Sequence, residues 1–280
     1  MRFRLSRFSL RTLLLIIIAA VCIAAGGTYS FADDSENTAQ TQSSEPGDEV
    51  SKKGIQIVDG NYPLLVDIQD IGVSYGFLNF FYNELVSTEP TEYFYDYKGK
   101  TYYYAADKVE LYDNTINTLT NAGISIVAAV VNGYNKDFPQ LRYPGVDFND
   151  GTQYYAFNAV TEEGVNLIEA CTYFLAERYN GGDKGKVVDW VIGNEVNDNL
   201  QYNYLKPCEG SSYVAEYYKQ FKMFYNIIKE INPQAEIYIP LEHRWQTANT
   251  MTDYGARWFL EEFNRNEKKD QQMDWGVAWH

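Results

Sequence analysis

From residue 54 onward the chain alternates between two rhythms. Short apolar runs occupy 71–79 (IGVSYGFLN), 124–131 (ISIVAAVV), 187–193 (VVDWVIG), 235–241 (AEIYIPL) and 274–280 (DWGVAWH). They are strand-length and rich in β-branched and aromatic residues. The 124–131 run has almost no polar position, which suits a parallel strand covered on both faces. Between the runs, apolar residues recur three and four apart. Val109, Tyr112, Ile116 and Leu119 predict one helix, with Asp107 as its cap, Glu110 completing a capping box and Gly123 ending it. Val165, Ile168, Leu175 and Tyr179 predict a second, capped by Thr161 with Glu162 and Glu163 in its first turn. Val214, Tyr217, Phe221, Phe224, Ile228 and Ile231 predict a third, stopped at Asn232 and Pro233. Ala256, Phe259, Leu260 and Phe263 predict a fourth over about 253–264. Residues 92–104 (EYFYDYKGKTYYY) predict a hairpin turning at Lys98 and Gly99. Strand–helix–strand units in series predict an α/β fold with a parallel sheet. A doubly wound sheet is the rival, although no Gly-rich phosphate loop follows any strand.

In a barrel of such units, chemistry collects at the C-terminal ends of the strands. Those ends read Asn79, Asn132, then Gly193-Asn194-Glu195-Val196-Asn197, then Glu242-His243-Arg244-Trp245, then Trp279-His280. An apolar strand running directly into Gly-Asn-Glu is the sharpest feature. A carboxylate that protonates a glycosidic oxygen needs a rigid mount, and a neighbouring Asn can hold a sugar hydroxyl. The plainer reading is that Asn194 and Glu195 only shape the following loop. Strand alternation lets only one of Glu242 and His243 point inward.

The remaining features narrow the setting. Arg2, Arg4, Arg7 and Arg11 precede a charge-free aliphatic run and a small-x-small site at Ser30-Phe31-Ala32, the build of a signal peptide over 1–32. That run is short for a span, so no stable membrane insertion is expected after cleavage. Residues 33–53 are polar and read as a disordered linker. The formal charge is −15, and losing those four arginines leaves 19 basic against 38 acidic residues, or about −19. Such a surface disfavours nucleic acid. Localisation is expected to be secreted or cell-surface. Cys171 lies on an apolar helix face and is expected to be a buried free thiol. Two histidines, with no metal-binding spacing, imply no metal and no organic cofactor.

VVDWVIGNEVN resembles the strand-four motif of clan A glycoside hydrolases, where Asn precedes the acid/base Glu. With YYAFNAVTEEGVNLIEACTYFLAERYNGGDKGK before it, and IYIPLEHRW and DWGVAWH after it, the chain resembles a family of secreted bacterial proteins described as a glycoside-hydrolase-like domain of unknown function, over roughly 71–280. The resemblance implies a TIM (β/α)8 barrel over 54–280. It makes 62–68 strand one, and 71–79, 124–131, 187–193, 235–241 and 274–280 strands two to six. Strands seven and eight, and the nucleophile that strand seven carries in such enzymes, are then missing, and the chain is expected to be truncated and inactive by the retaining route. The resemblance further implies Glu195 as general acid/base, Asn194 as its partner, and His243, Trp245 and His280 as sugar-contacting rim residues beside Asn79 and Asn132. The expected partner is an extracellular glycan. The alternative is a non-catalytic carbohydrate-binding or surface module. A peptidase finds no Ser-His-Asp or Cys-His signature.

Overall fold

The computed structural model describes residues 52–57 and 65–279. The expected signal peptide, most of the linker and His280 lie outside the described residues. Six strands form one parallel sheet in strict chain order: β1 (Gly54–Gln56), β2 (Tyr75–Phe81), β6 (Ser125–Val131), β8 (Gly185–Ile192), β9 (Glu236–Leu241) and β10 (Gly276–Trp279). A three-residue strand, β7 (Asn180–Gly182), pairs antiparallel with the start of β8. The long helices α3 (Ala106–Asn121), α4 (Glu162–Arg178), α5 (Gly210–Ile231) and α6 (Ala256–Glu267) fall between the strands. In a doubly wound sheet the strand order reverses at a switch point. It never reverses here, so the winding is that of a curled half-barrel. The expected seventh and eighth strands are not among the described residues.

Burial shows which face the helices cover. Leu78, Phe80, Ile126, Ala128, Val130, Trp190, Ile192, Ile237, Ile239 and Leu241 are buried in one core with the helix faces. The alternate residues of β2, Tyr75, Phe77, Asn79 and Phe81, are only half-buried. They line the concave side, where a cavity of about 810 Å³ runs past Tyr75, Phe77, Val127, Asp189, Tyr238 and Trp279. Trp190 therefore faces the helices, with its ring 5.6 Å from Phe80, and Asp189 faces the concave side. Cys171 is fully buried as a free thiol, and burial pushes that thiol well above its ordinary range.

Several local expectations hold. Thr161 caps α4 by accepting the Gly164 amide at 3.2 Å. Strands β4 (Phe94–Tyr97) and β5 (Lys100–Tyr104) form the hairpin, with Lys98 at φ 48° and Gly99 at φ 78°. Two positive φ values at a two-residue loop match the right-handed twist of the strands. With β3 (Val86–Ser87) they make a small antiparallel sheet, joined to β2 through the short helix α2 (Tyr82–Leu85). Tyr95 and Tyr97 hydroxyls donate to Glu177 and Glu169 of α4, both at 2.9 Å.

Three expectations need correction. Residues 62–68 are not strand one: α1 (Leu65–Asp70) is helical there, and 62–64 lie outside the described residues. Ile68 of this helix is buried. Strand one is β1, hidden in the sequence because it adjoins the polar stretch and holds few apolar residues. The 71–79 run starts too early: Ile71 is exposed, Gly72 turns at φ 71°, and β2 runs on to Phe81. Asp107 does not cap α3. β5 ends at Tyr104, so the cap position falls on Ala105, which has no side-chain cap, and Asp107 sits inside the first turn.

Candidate functional site

The end of β8 is a tightly held turn. Glu195 has φ 40°, and among the described residues only Lys98, Glu195 and Lys206 are non-glycines with positive φ. That conformation costs an L-residue roughly 1–2 kcal/mol, so it persists only where its surroundings hold it. Here they do. The Gly193 amide donates to Val130 O and the Val196 amide to Pro240 O, each at 3.0 Å. Gly193 itself has φ 96°, and a Cβ there would sit 2.6 Å from Val196 Cγ1. On the carbonyl side, Tyr217 donates to Ile192 O at 2.7 Å and Tyr213 to Val196 O at 2.6 Å. Asn197, fully buried, donates to Tyr254 O at 2.9 Å and accepts the Glu242 amide at 2.9 Å. Asn199, also fully buried, accepts the Leu205 amide and donates to Lys206 O.

Glu195 itself is half-buried. Its neighbour Asn194 lines a cavity of about 560 Å³ with Gln56, Phe77, Asn79, Gln153 and Tyr154. Aromatic rings step around this rim: Phe81 to Tyr154 at 6.4 Å, then Tyr154 to Tyr202 at 6.5 Å. The Tyr202 hydroxyl is pushed up, first by desolvation and then by the charges of Glu195 and Asp198. Asp198 is engaged locally, accepting the Leu200 and Gln201 amides.

The end of β9 differs. Glu242 is 4% exposed and accepts from Arg244 Nε at 2.7 Å and from Asn197 Nδ2 at 3.2 Å. Arg244 also pairs with Asp253 at 2.5 Å. His243 points to solvent, with Nδ1 3.1 Å from Glu242 Oε2. Of the two alternatives in the sequence, Glu242 is the inward one. Trp245 and Trp279 are 48% and 47% exposed, with ring centroids 5.6 Å apart.

The sequence-predicted residues thus divide. Asn194 and Asn79 share one cavity with the aromatic rim. Asn79 does so from within β2 rather than from its end. Asn132 is buried and donates to Leu141 O at 3.1 Å, bracing the loop that follows β6. His243 and Trp245 lie at the β9 end, and His280 is outside the described residues. Tyr213, Asn199, Gln56 and Tyr202 were not singled out from the sequence, and Asn197 was named only as part of the strand end. Tyr217 was, but only as a core position, because periodicity reports burial and not the use of a hydroxyl. Among the described residues no group of three or more His, Cys, Asp or Glu could hold a metal ion, and no helix is long and apolar enough to cross a membrane.

A family of unknown function (DUF5722) matches residues 45–280. No curated protein matches the chain. Similar solved structures include the Ignisphaera aggregans GH53 catalytic domain, at 14% identity and a TM-score of 0.46, covering 77% of this chain and 51% of that one. A family 1 β-glucosidase from Thermotoga maritima in complex with isofagomine lactam has 14% identity and a TM-score of 0.46, with 77% and 52% covered. A hyperthermophilic β-glucosidase from Pyrococcus furiosus has 14% identity and a TM-score of 0.45, with 78% and 53% covered. The chain spans about half the length of these solved structures.

Proposed function

From the premise that the chain belongs to the DUF5722 family of unknown function, we propose that its rim is a glycan site of glycoside-hydrolase type, with Glu195 as general acid/base. The observation that carries this reading is the left-handed Glu195, fixed at a strand end beside Asn194 and an aromatic-lined cavity. Strain retained at a half-buried acid, and supported by buried hydrogen bonds on both flanks, marks a group whose placement matters. Glu195 donates a proton to the leaving glycosidic oxygen and then takes one from the attacking water. Asn194 binds a sugar hydroxyl, and Tyr154 and Tyr202 offer ring faces to the sugar. The acidic chain suits a neutral ligand outside the cell. Glu242 is turned into its pair with Arg244 and is not offered as the nucleophile of a retaining route.

That same pairing favours a second reading, a module that binds glycans without cutting them. One experiment separates the two. The full chain and its Glu195→Gln variant are incubated with a panel of β-linked polysaccharides, with mass spectrometry for new reducing ends and calorimetry for binding. Cleavage by the parent that disappears in the variant supports the hydrolase. Binding with no product from either protein favours the module. Absence of both removes the carbohydrate reading.

A further inference from the structure

We infer that Tyr213 and Tyr217 are positioning residues, which hold Glu195 in its left-handed backbone from two successive turns of α5. The two hydroxyls are four residues apart on one helix face. The carbonyls they reach, Val196 and Ile192, are also four residues apart, and they bracket Glu195. Both tyrosines are buried to within 1%. A buried carbonyl needs a donor, and along most of β8 the neighbouring strands supply it. Past Ile192 the sheet ends, and the helix supplies the donors instead. The sheet still takes the N–H side of the same turn, through Gly193 to Val130 and Val196 to Pro240. Between these two sets of bonds only the Asn194 and Glu195 side chains are left to project.

The hydroxyls are directed as well as buried. Asn203 Nδ2 donates to the Tyr213 oxygen at 2.8 Å, and the single phenolic proton has Val196 O at 2.6 Å as its nearer acceptor and Asn203 O at 3.3 Å as its farther one. The rings have a separate packing role: Tyr213 stacks on Tyr254 at 5.0 Å, and Tyr217 packs on Phe259 at 5.5 Å. Phenylalanine fills the same space: Tyr217→Phe removes the bond to Ile192 O, and Tyr213→Phe removes the bond to Val196 O together with those to Asn203. Tyr82 supplies the control, since it is equally buried but its hydroxyl pairs with Thr172 Oγ1 at 3.0 Å, away from the strand end.

The consequence for catalysis rests on Glu195 being the acid, whereas the backbone effect does not. The test uses the full chain and the variants Tyr213→Phe, Tyr217→Phe and Tyr82→Phe. Amide exchange at Val196 and the carbon shifts of Glu195 are read by NMR, and kcat and KM on any glycan the parent hydrolyses. The expected result is Val196 exchange about tenfold faster in Tyr213→Phe and Tyr217→Phe, displaced Glu195 shifts, and a lower kcat at nearly constant KM. Tyr82→Phe should melt lower but leave Val196 and Glu195 as in the parent. If the two α5 variants match the parent, or if Tyr82→Phe disturbs Val196 and Glu195 equally, the inference is overturned. Should Tyr213→Phe not fold, Tyr217→Phe decides alone. A parent that neither binds nor cuts glycans defeats the proposed function, while the exchange and shift readings still decide this inference.

Discussion

The ends of β8 and β9 occupy equivalent places in neighbouring strands, and each carries a glutamate just beyond the strand. Their fates are opposite. Glu195 is half-buried, and the groups that fix it are mainly backbone bonds and tyrosine hydroxyls acting on its flanks. Glu242 is buried, and the groups that fix it grip the carboxylate directly, through Arg244 and Asn197. At the β8 end the flanking bonds fix the backbone that carries the carboxylate. At the β9 end the carboxylate oxygens themselves are committed to structure, through Arg244, which also ties the loop to Asp253. The comparison shows that equivalent positions at two strand ends can be fixed in different ways, one through its backbone and one through its carboxylate.

The largest effect should come from Glu195→Gln, which keeps the shape and removes the proton. Hydrolysis should fall by about 10²–10⁴-fold, with the melting temperature little changed; undiminished turnover would erase the distinction between the two ends. Next is Arg244→Met, which leaves Glu242 buried without its cation. Breaking a fully buried pair costs about 3–5 kcal/mol. The Arg244 side chain is 37% exposed, so a loss of about 2 kcal/mol is expected in urea unfolding. Adding Glu242→Gln to that variant should recover most of the loss, and a double variant no better than the single would show that Glu242 is not the group left stranded.

Gly193→Ala should cost about 1–2 kcal/mol, because φ is 96° and the new methyl meets Val196 Cγ1. A calorimetric melt checks it, and an unchanged midpoint would mean that the β8 turn gives way easily. The smallest expected effect has the opposite sign. Asn tolerates the left-handed region better than Glu, so Glu195→Asn should stabilise the fold by about 0.5 kcal/mol while abolishing hydrolysis. Destabilisation there would mean that the conformation at Glu195 stores no strain.

Much of the site could be read in the sequence because it follows from periodicity and order. The apolar run into Gly-Asn-Glu located the β8 end, and Thr161 located the start of α4. The same reasoning erred where local signals were weak or shared. β1 has only three residues and adjoins a polar stretch, while the more apolar 62–68 run drew the strand assignment. Asp107 looked like a cap by composition, but the end of the hairpin at Tyr104 placed the cap at Ala105, two residues before Asp107.

The sequence alone determined the alternation of strands and helices, the parallel sheet that this alternation requires, and the place of Gly193-Asn194-Glu195 at the end of β8. Each depends on neighbours within about one helical turn along the chain. Tertiary structure decided that Asn79 meets Asn194, that Glu242 is given to Arg244, and that two tyrosines of α5 hold the turn of Glu195. Arg244 is only two residues from Glu242 and is fixed there by Asp253; the other pairings join residues 17 to 115 positions apart. They arise from the curl of the sheet and the seating of α5 against it, and no local pattern of side chains encodes a contact that exists only once both elements have packed.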